Sequence, residues 1–518
     1  MARPSVRTLN SAHLIRLDRC SCFPFPRFLA LATSTSTRFP ANRLDLNHDN
    51  GFYLCRKPTI GRNMAFDTLR IIAHGITWFI PYILRAGLQS LYATYHFYTY
   101  KPTDSPKHIV VIGGSFAGLQ LVKRLTQTIP SGYKIIWLEK NSHLNYVFAF
   151  PRFSVVAGLE ERAFIPYTAL EAGAPNGSLR RVQGTVSWVN RDEQKVILDS
   201  GEEFPFSYLA IATGSTQPLP VQVESTERTD ACDELRAVQT HIKTSQKIAI
   251  LGGGAVGVEL ASDIKDFYPD KGVTLVHSRA SLLNRFGPKL QEYALRALRD
   301  ELGVRVLLGE RPLRPTAYGK GSLARDATLV FRDGKEEIFD LVIGCTGQRP
   351  NSHILAMSYP DSICEKSSRI LVSPTLQMLT SDASTISNPD TAQHPDLTPP
   401  TVNPSERIFA LGDVAAHPGP LMARAGFMQA ETVVQNILSL INGQPAKKIY
   451  KPNWFIEGAI KLTLGKTDNV VYSREASEGG SEAMIVSRKG KEDLDIGMAW
   501  RQYGVSGEFE RVKGGKLH

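Results

Sequence analysis

Two glycine turns carry the residue types that bind the phosphates of a dinucleotide. The first lies in IVVIGGSFAG at 109–118 and the second in IAILGGGAVG at 248–257. In the first, Gly113 follows a β-branched strand and is expected to make the tight turn, while Gly118 lets the next helix pack on that strand. Ser115 fills the middle position, where its hydroxyl can reach a phosphate oxygen. The free N–H groups of the helix N-terminus would attract the diphosphate.

A carboxylate stands at the end of the next strand, YKIIWLEK. Glu139 comes about 20 residues after the turn, where an acidic side chain can accept hydrogen bonds from both ribose hydroxyls of an adenosine. Glycine strings of this kind also arise by chance, so this unit alone is a weak signal.

The second turn has the complete glycine pattern but a different residue at the end of its next strand. Its glycines are Gly252, Gly254 and Gly257, and the strand GVTLVHSR ends on His277 and Arg279 without a carboxylate. A carboxylate would repel a 2′-phosphate, whereas arginine accommodates one, so NADPH is predicted to be accepted at least as well as NADH. The alternative is that Arg279 is a solvated loop charge.

Three further stretches follow in an order that resembles one known family. They are YLAIATGS at 208–215, FDLVIGCTGQRPN at 339–351 and RIFALGDVA at 407–415. With the two turns, they resemble the flavoproteins with two dinucleotide-binding domains, the pyridine nucleotide oxidoreductases of glutathione-reductase type. The resemblance implies an α/β fold with two Rossmann-like three-layer domains, one for FAD and one for NAD(P), and a small C-terminal α+β region.

The resemblance also implies which residues bind the two nucleotides. Asp413 would bind the FAD ribitol, since buried hydroxyls are costly without a partner. The complete predicted FAD site is Gly113, Gly114, Ser115, Phe116, Ala117, Gly118, Glu139, Lys140, Arg152, Val186, Thr213, Gly214 and Asp413. The complete predicted NAD(P) site is Gly252, Gly254, Gly257, Glu259, His277, Arg279 and Gly347.

Two charged residues of these sites are predicted to act near the reacting rings. Arg152, in FAFPRF, would approach the isoalloxazine ring and stabilise negative charge on the reduced flavin; the alternative is a surface arginine after a loop proline. Glu259 would support the nicotinamide side, and its alternative is an ordinary acid in the first turn of a helix.

The cysteine spacing narrows the choice among the members of this family. The chain has no C-x-x-C or C-x4-C pair, so a thiol relay is excluded. The stretches EKNSHLNYVFAFPRFSVVAG and KLTLGKTDN look most like the apoptosis-inducing-factor-like proteins of the AMID type, whose animal member is ferroptosis suppressor protein. A flavin monooxygenase is not supported, because no F-x-G-x-x-x-H string lies between the turns.

The resemblance implies an enzyme that passes electrons from NAD(P)H through FAD to a small-molecule acceptor. A membrane quinone is the first choice, because Met and Phe side chains of LMARAGFMQAETVVQNI at 421–437 could line an apolar tunnel. Core packing explains them equally well. The alternatives are a redox-sensing or cell-death signalling flavoprotein with little turnover and a ferredoxin-reductase-like enzyme.

Charge and composition argue against nucleic acid as a partner. The chain of 518 residues has a formal charge of +10, of which residues 1–63 hold +7 and the remainder only +3. With a net charge of only +3, residues 64–518 are not expected to have the basic face that binds nucleic acid or docks a ferredoxin. No metal site is predicted, because Cys20 and Cys22 have no neighbouring His/Cys cluster.

The front of the chain is predicted to direct it to a membrane. Residues 1–63 are rich in Arg, Ser and Thr, as in a transit peptide for the mitochondrion, or are an optional start. Residues 64–104 are predicted to interact with a mitochondrial or other intracellular membrane, with the cytoplasmic face possible. The uncharged run Ile71–Leu84 is shorter than the ~20 residues of a span and contains Pro81, which favours a monotopic anchor. A helix packed on the body is the alternative.

The predicted domain order follows from these motifs. The FAD domain comprises 105–220 and 339–440, the NAD(P) domain 221–338, and the C-terminal region 441–518. A Ser/Thr/Pro/Asp-rich insertion at 380–406 is predicted to be a disordered surface loop.

Overall fold

The computed structural model describes residues 60–313, 323–381, 402–476 and 479–513. Most of the predicted transit segment at 1–63 therefore lies outside the described residues. The same holds for the middle of the predicted insertion at 380–406. Its ends, however, are strand rather than disordered loop, because Ser381 pairs with Val402 in an antiparallel ladder that uses their backbone hydrogen-bonding groups.

Helices and strands alternate through the first two thirds of the chain. The helices are α1 (Ile60–Thr99), α2 (Phe116–Thr126), α3 (Phe150–Phe153), α4 (Thr168–Ala172), α5 (Arg228–Thr244), α6 (Ala255–Phe267), α7 (Pro288–Arg296), α8 (Ala423–Ile441), α9 (Trp454–Glu457), α10 (Gly497–Gln502) and α11 (Ser506–Lys513). The strands are β1 (Lys107–Ile112), β2 (Tyr133–Glu139), β3 (His143–Asn145), β4 (Phe164–Pro166), β5 (Leu179–Gln183), β6 (Val186–Asn190), β7 (Lys195–Leu198), β8 (Glu203–Pro205), β9 (Tyr208–Ile211), β10 (Ser215–Thr216), β11 (Lys247–Leu251), β12 (Gly272–His277), β13 (Arg305–Leu308), β14 (Leu323–Val330), β15 (Glu336–Gly344), β16 (Arg349–Pro350), β17 (Ile370–Leu371), β18 (Gln377–Ser381), β19 (Val402–Ala410), β20 (Ala415–Ala416), β21 (Ile460–Leu464), β22 (Asp468–Arg474) and β23 (Glu482–Ser487).

The first large sheet has the strand order β18-β19-β9-β1-β2-β5. All neighbours in it are parallel except β18 and β19. Ile109, Val110 and Val111 of β1 are fully buried, because helices or strands cover both faces of a parallel sheet. The sheet combines strands from both predicted parts of the FAD domain, and β1 ends at its centre where the first glycine turn begins.

The second large sheet has the order β13-β12-β11-β15-β14, with only the β14–β15 pair antiparallel. Strand β15 pairs with β11 up to Gly344. The chain therefore returns to the first sheet after Gly344, and not at 339 as the motif spacing suggested. Two nucleotide-type sheets confirm the predicted α/β fold.

A small antiparallel sheet, β21-β22-β23, follows the two larger ones. Together with α9, α10 and α11 it forms the predicted C-terminal α+β region. The end of β21 lies against α6, the helix that follows the second glycine turn, since the backbone N–H of Thr463 donates to Glu259 at 3.0 Å. This contact brings the C-terminal region to the second glycine turn.

Helix α1 is continuous over 40 residues and passes through Pro81, although a proline inside a helix removes one backbone hydrogen bond. Its ends are fastened to the body. His96 Nε2 lies 2.6 Å from the carbonyl oxygen of Ile129, and the Tyr100 hydroxyl donates to the carbonyl of Tyr133 at 2.8 Å. Among the described residues, no helix is both long enough and apolar enough to span a bilayer.

Candidate functional site

The first glycine turn leaves no space for larger residues. Gly113 has a φ of +102°, and a Cβ there would lie 2.4 Å from the carbonyl oxygen of Ala212. A Cβ on Gly118 would lie 2.1 Å from the carbonyl oxygen of Gly113. Both contacts are closer than van der Waals distance, so glycine is required for the turn and for the approach of α2 to β1.

A buried carboxylate accepts a backbone hydrogen bond from this turn. Glu139, the last residue of β2, accepts hydrogen bonds from the backbone N–H of Gly114 and, at 2.8 Å, from the backbone N–H of Asn141. Burial raises the pKa of Glu139 above its usual value. The carboxylate is thus held beside the helix N-terminus, where the sequence predicted a ribose-binding group.

Two aromatic side chains donate hydrogen bonds to backbone carbonyls of the first glycine turn. The Tyr167 hydroxyl donates to the carbonyl of Gly114 at 2.9 Å, and the Trp137 indole N–H donates to the carbonyl of Gly113 at 3.2 Å. Sequence reasoning missed both. Trp137 lies in the strand leading to Glu139, but Tyr167 follows in a separate segment with no motif.

The remaining residues of the predicted FAD site have different surroundings. Ser115 is exposed at the start of α2 and its side chain makes no capping hydrogen bond. Phe116 stacks at 4.9 Å on Phe148. Lys140 is exposed, whereas Val186 is buried in the core beside the first sheet. The Cβ of Ala117 lies 2.9 Å from where a Cβ of Gly426 in α8 would be, so α2 and α8 cross closely here.

A polar cluster forms where the chain crosses between the two sheets. Asp413 is half-buried and accepts hydrogen bonds from Gln348 at 2.9 Å and from Ser215 at 3.3 Å. Burial raises the pKa of Asp413. Thr213 donates its hydroxyl to the carbonyl of Asn351 at 2.8 Å, which joins the two crossing segments.

Two glycines of the crossing segments have left-handed backbone. Gly214 has a φ of +64° and Gly347 a φ of +101°, and a Cβ on either would meet nothing within 4 Å. Backbone conformation rather than lack of space therefore favours glycine at both positions.

The second glycine turn repeats the geometry of the first glycine turn. Gly252 has a φ of +127°, and a Cβ on Gly257 would lie 1.8 Å from the carbonyl oxygen of Gly252. In contrast, a Cβ on Gly254 would meet nothing within 4 Å. The N-terminus of α6 thus opens at Gly254 onto free space, as a phosphate site requires.

His277 occupies in the second turn the place that Glu139 holds in the first. Its Nδ1 accepts the backbone N–H of Gly253 at 3.0 Å. Since Nδ1 accepts, the ring proton of the neutral imidazole is on Nε2. Burial lowers the pKa of His277, and Arg279 adds to this effect. The ring therefore stays neutral and offers Nε2–H as a donor; Nε2 is buried and has no partner among the described residues.

Two carboxylates of α6 accept hydrogen bonds from the end of β21 and from the turn after it, and Asp263 lies between them on the helix. Glu259 accepts from Thr463, through the backbone N–H at 3.0 Å and the hydroxyl at 3.1 Å. Asp266 accepts from the backbone N–H of Lys466 at 2.6 Å. Burial raises the pKa of Glu259 to about 7, and the neighbouring Asp263 acts in the same direction. These residues lie on one face of the helix, at positions i, i+4 and i+7.

Arg152 is buried between α6 and the turn that follows β21, and not at an open cleft. Its Nη2 is 2.8 Å from Asp263 Oδ1, and both side chains are at most 1% exposed. The same nitrogen donates to the carbonyl of Gly465 at 2.5 Å, and the guanidinium stacks over the Phe267 ring at 5.4 Å. The sequence analysis assigned Arg152 to the flavin, but its charge faces Asp263, so this position does not support a catalytic role.

Sequence reasoning missed Asp263, Thr463 and Gly465. The spacing of Glu259, Asp263 and Asp266 was a usable signal, because acids at i, i+4 and i+7 share a helix face. Nothing in the sequence indicated that a C-terminal turn would meet that face.

One family of known proteins matches most of the nucleotide-binding region. The family described as pyridine nucleotide-disulphide oxidoreductase matches residues 107–384. Fe-regulated protein 8 of Mycosarcoma maydis is 33% identical over 429 residues, which cover 78% of this chain and 96% of that protein. Ferroptosis suppressor protein 1 of Xenopus tropicalis is 27% identical over 402 residues, covering 76% and 96%. The solved sulfide:quinone oxidoreductase of Aquifex aeolicus has 16% identity and a TM-score of 0.56, covering 79% and 92%; this likeness supports the fold alone.

The contrast between Gly257 and Gly254 yields a stability prediction. Gly257→Ala places a methyl group against the carbonyl of Gly252, and we expect it to lower the free energy of unfolding by about 1–3 kcal/mol. Gly254→Ala is the matched control: it should leave the denaturation midpoint unchanged but weaken NADPH binding, because its methyl group projects into free space. Denaturant titration and nucleotide titration measure the two effects. Equal loss of stability in both variants would contradict this account.

The buried ion pair yields a second stability prediction. Arg152→Met leaves Asp263 buried without its cation, which should lower the free energy of unfolding by about 3–5 kcal/mol. The double variant Arg152→Met, Asp263→Leu replaces the pair with apolar side chains and should recover most of that loss. Denaturation midpoints of the three proteins test this. If the double variant is as unstable as the single one, the charge of Asp263 is not the cause.

Proposed function

The chain belongs to the pyridine nucleotide-disulphide oxidoreductase family, and on that premise we propose that it passes electrons from NAD(P)H through FAD to a membrane quinone. The family implies an FAD-dependent NAD(P)H oxidoreductase. When bound, the flavin supplies a centre that takes two electrons from a nicotinamide and passes them to a second substrate. The observation that carries the choice of acceptor is the apolar cluster beside the first glycine turn.

The residues of the first turn fit FAD. The N-terminus of α2, after Gly113 and Ser115, would hold the diphosphate, because its backbone N–H groups have no helical partners. Glu139 would accept the ribose hydroxyls. Asp413, held by Ser215 and Gln348, would bind the ribityl chain where that chain leaves water.

The residues of the second turn fit NAD(P)H. The N-terminus of α6 opens at Gly254, and the buried Nε2–H of His277 provides a donor where Glu139 provides an acceptor. Arg279 is exposed just beyond it. A donor and a cation support binding of a 2′-phosphate, so we propose that NADPH is accepted at least as well as NADH.

The cysteines support electron transfer without a thiol relay. Among the described residues, Cys232, Cys345 and Cys364 are free. Burial raises the pKa of Cys232 and of Cys345 to about 12. Both thiols are therefore protonated at neutral pH and are poor nucleophiles.

An apolar cluster extends from the first turn to the C-terminal sheet. Phe427 of α8 and Phe455 of α9 are buried in it, and Phe116, the first residue of α2, packs against it. The Phe116 and Phe427 rings meet edge to face at 6.5 Å. An apolar, aromatic wall at the mouth of a nucleotide site suits a hydrophobic ring such as a quinone. We place the reaction at a mitochondrial or other intracellular membrane, on the composition of residues 1–63.

Reduction and reoxidation of the purified protein test this function. The protein should be yellow, and anaerobic NADPH or NADH should bleach its flavin absorbance. A short-chain ubiquinone analogue should then restore the absorbance at least about tenfold faster than cytochrome c, a water-soluble protein acceptor. A preparation that is colourless and takes up no FAD would overturn the cofactor assignment. Bleaching without reoxidation by quinone would instead favour a signalling flavoprotein with little turnover.

Nucleotide preference tests the second turn. Arg279→Glu should raise the KM for NADPH by about tenfold or more and that for NADH much less, since the new carboxylate repels a 2′-phosphate. Arg332→Glu is the matched control, because it makes the same charge change at an exposed turn of the same unit. Steady-state kinetics with both nucleotides measure the split. Parallel changes for NADPH and NADH would refute the assignment.

A further inference from the structure

Helix α1 exposes an unusual amount of apolar surface on its outer face. Leu84, Leu88 and Leu91 are 65%, 69% and 71% exposed. The outer face, defined by its exposed large apolar residues, comprises Leu69, Ile76, Ile80, Ile83, Leu84, Leu88, Leu91, Tyr92, Tyr95, Phe97 and Tyr98. Most of these recur at helical spacings of three, four and seven, so they form a continuous stripe. Such a stripe is far larger than the scattered apolar residues of an ordinary surface.

The opposite face of α1 is fastened to the protein. Asp67 accepts the Lys289 ammonium of α7 at 2.5 Å, and Arg70 pairs with Glu475. Farther along, His96 and Tyr100 are buried against the first sheet's unit. The helix is therefore held by its inner face at both ends, and this orientation leaves the stripe outward.

The inner face also forms one wall of the apolar cluster described above. Ile71 is 4% exposed and belongs to that cluster. The His74 ring packs on Phe455 at 4.4 Å, and the Arg70 guanidinium lies 5.9 Å from the centre of the same ring. From Phe455 the cluster continues through Phe427 to Phe116. One helix thus borders both the open surface and the cluster that reaches the first glycine turn.

A lipid bilayer is the occupant that fits the outer face. Between residues 71 and 100 the sequence contains Arg85 but no Asp, Glu or Lys. The hydroxyls of Thr77, Thr94 and Thr99 donate to carbonyls of their own helix, which satisfies them without water. Tyrosine rings collect toward the C-terminal end, as at membrane interfaces. Residues 1–63 add a net charge of +7 by sequence, which complements anionic headgroups.

The dimensions of α1 decide how it would meet the bilayer. A helix of 40 residues is about 60 Å long, twice the ~30 Å hydrocarbon core. No described helix is apolar enough to span a bilayer, and the inner face of α1 is occupied by the protein. The geometry is that of a helix lying in the plane of the interface. The family match begins at residue 107, after the end of this helix.

We propose that α1 lies flat on a bilayer by its outer face and covers the apolar cluster by its inner face, so that a lipid-soluble acceptor reaches Phe116 from the membrane past Phe455. The first part of the proposal, that α1 lies on a bilayer, concerns only the outer face of the helix. The second part rests on the proposed function, because it requires an acceptor that dissolves in lipid.

Vesicle flotation of the FAD-loaded full chain tests the surface. Leu84→Glu, Leu88→Glu and Leu91→Glu together should reduce binding to vesicles of phosphatidylcholine and phosphatidylserine by about tenfold or more, since three exposed leucines lose their lipid contact. The matched control is Leu313→Glu, Ile338→Glu and Met357→Glu, which changes three equally exposed apolar residues away from α1. The control should float like the parent. Flotation of the α1 variant at the parental level overturns the proposal.

A fluorescence measurement keeps the test independent of the triple variant. Leu88→Trp should add emission that brominated lipids quench, whereas Ile338→Trp should add emission that they do not. A parent chain that dimerises through α1 and leaves vesicles unbound would show that a second copy covers the stripe, and would also overturn the proposal.

Acceptor kinetics separate the lateral route from the proposed function. The α1 variant should keep the parental rate with a water-soluble short-chain quinone but lose about tenfold with a long-chain quinone embedded in vesicles. Equal loss with both quinones would refute the lateral route. If the parent reduces neither quinone, the proposed function fails, while flotation still decides whether α1 binds the bilayer.

Discussion

The buried ion pair between Arg152 and Asp263 holds three parts of the molecule in one arrangement. Arg152 comes from the unit of the first sheet, Asp263 from α6 of the second, and the carbonyl of Gly465 from the C-terminal turn. Two charges are stable in such an apolar place only when each neutralises the other. Because α6 begins at the second glycine turn, this pair also decides where the second nucleotide site faces. Glu259, one turn before Asp263, is then placed beside Thr463.

The two glycine turns share their backbone geometry and differ in the group that closes them. In each, a side chain at the end of the next strand accepts the N–H of the residue after the first glycine: Glu139 for Gly114 and His277 for Gly253. Each carboxylate oxygen has more than one lone pair, so Glu139 could still accept hydrogen bonds from ribose hydroxyls. A neutral imidazole with Nδ1 already used offers only a donor. Under our proposal, the first turn would therefore favour ribose hydroxyls and the second would tolerate a 2′-phosphate.

Helix α1 has one face held by the protein and one apolar face exposed. Its inner face is held by Asp67, Arg70, His96 and Tyr100, and its outer face is apolar. An oriented helix of this kind would determine which side of an enzyme meets a membrane. The apolar cluster around Phe455 lies against its first turns, so under our proposal α1 would link the orientation of the protein to the access of the acceptor.

The sequence by itself determined the features that arise from near neighbours in the chain. Gly118 and Gly257 are required by clashes with the carbonyl oxygens of Gly113 and Gly252 in their own strand–turn–helix units, so their roles follow from local sterics and the α/β fold follows from the repetition of these units. Gly113 and Gly252 have a positive φ, which favours glycine locally, but the atoms that a Cβ there would meet belong to distant segments, at Ala212 and Cys345. The tertiary structure alone decided the partners of charged residues. Glu259 meets Thr463 across 204 positions, and Arg152 turned out to face Asp263 rather than an open site. Whether a charge lies beside a ligand or a counter-charge depends on which distant segment packs against it and removes its water, and spacing along the chain does not encode that.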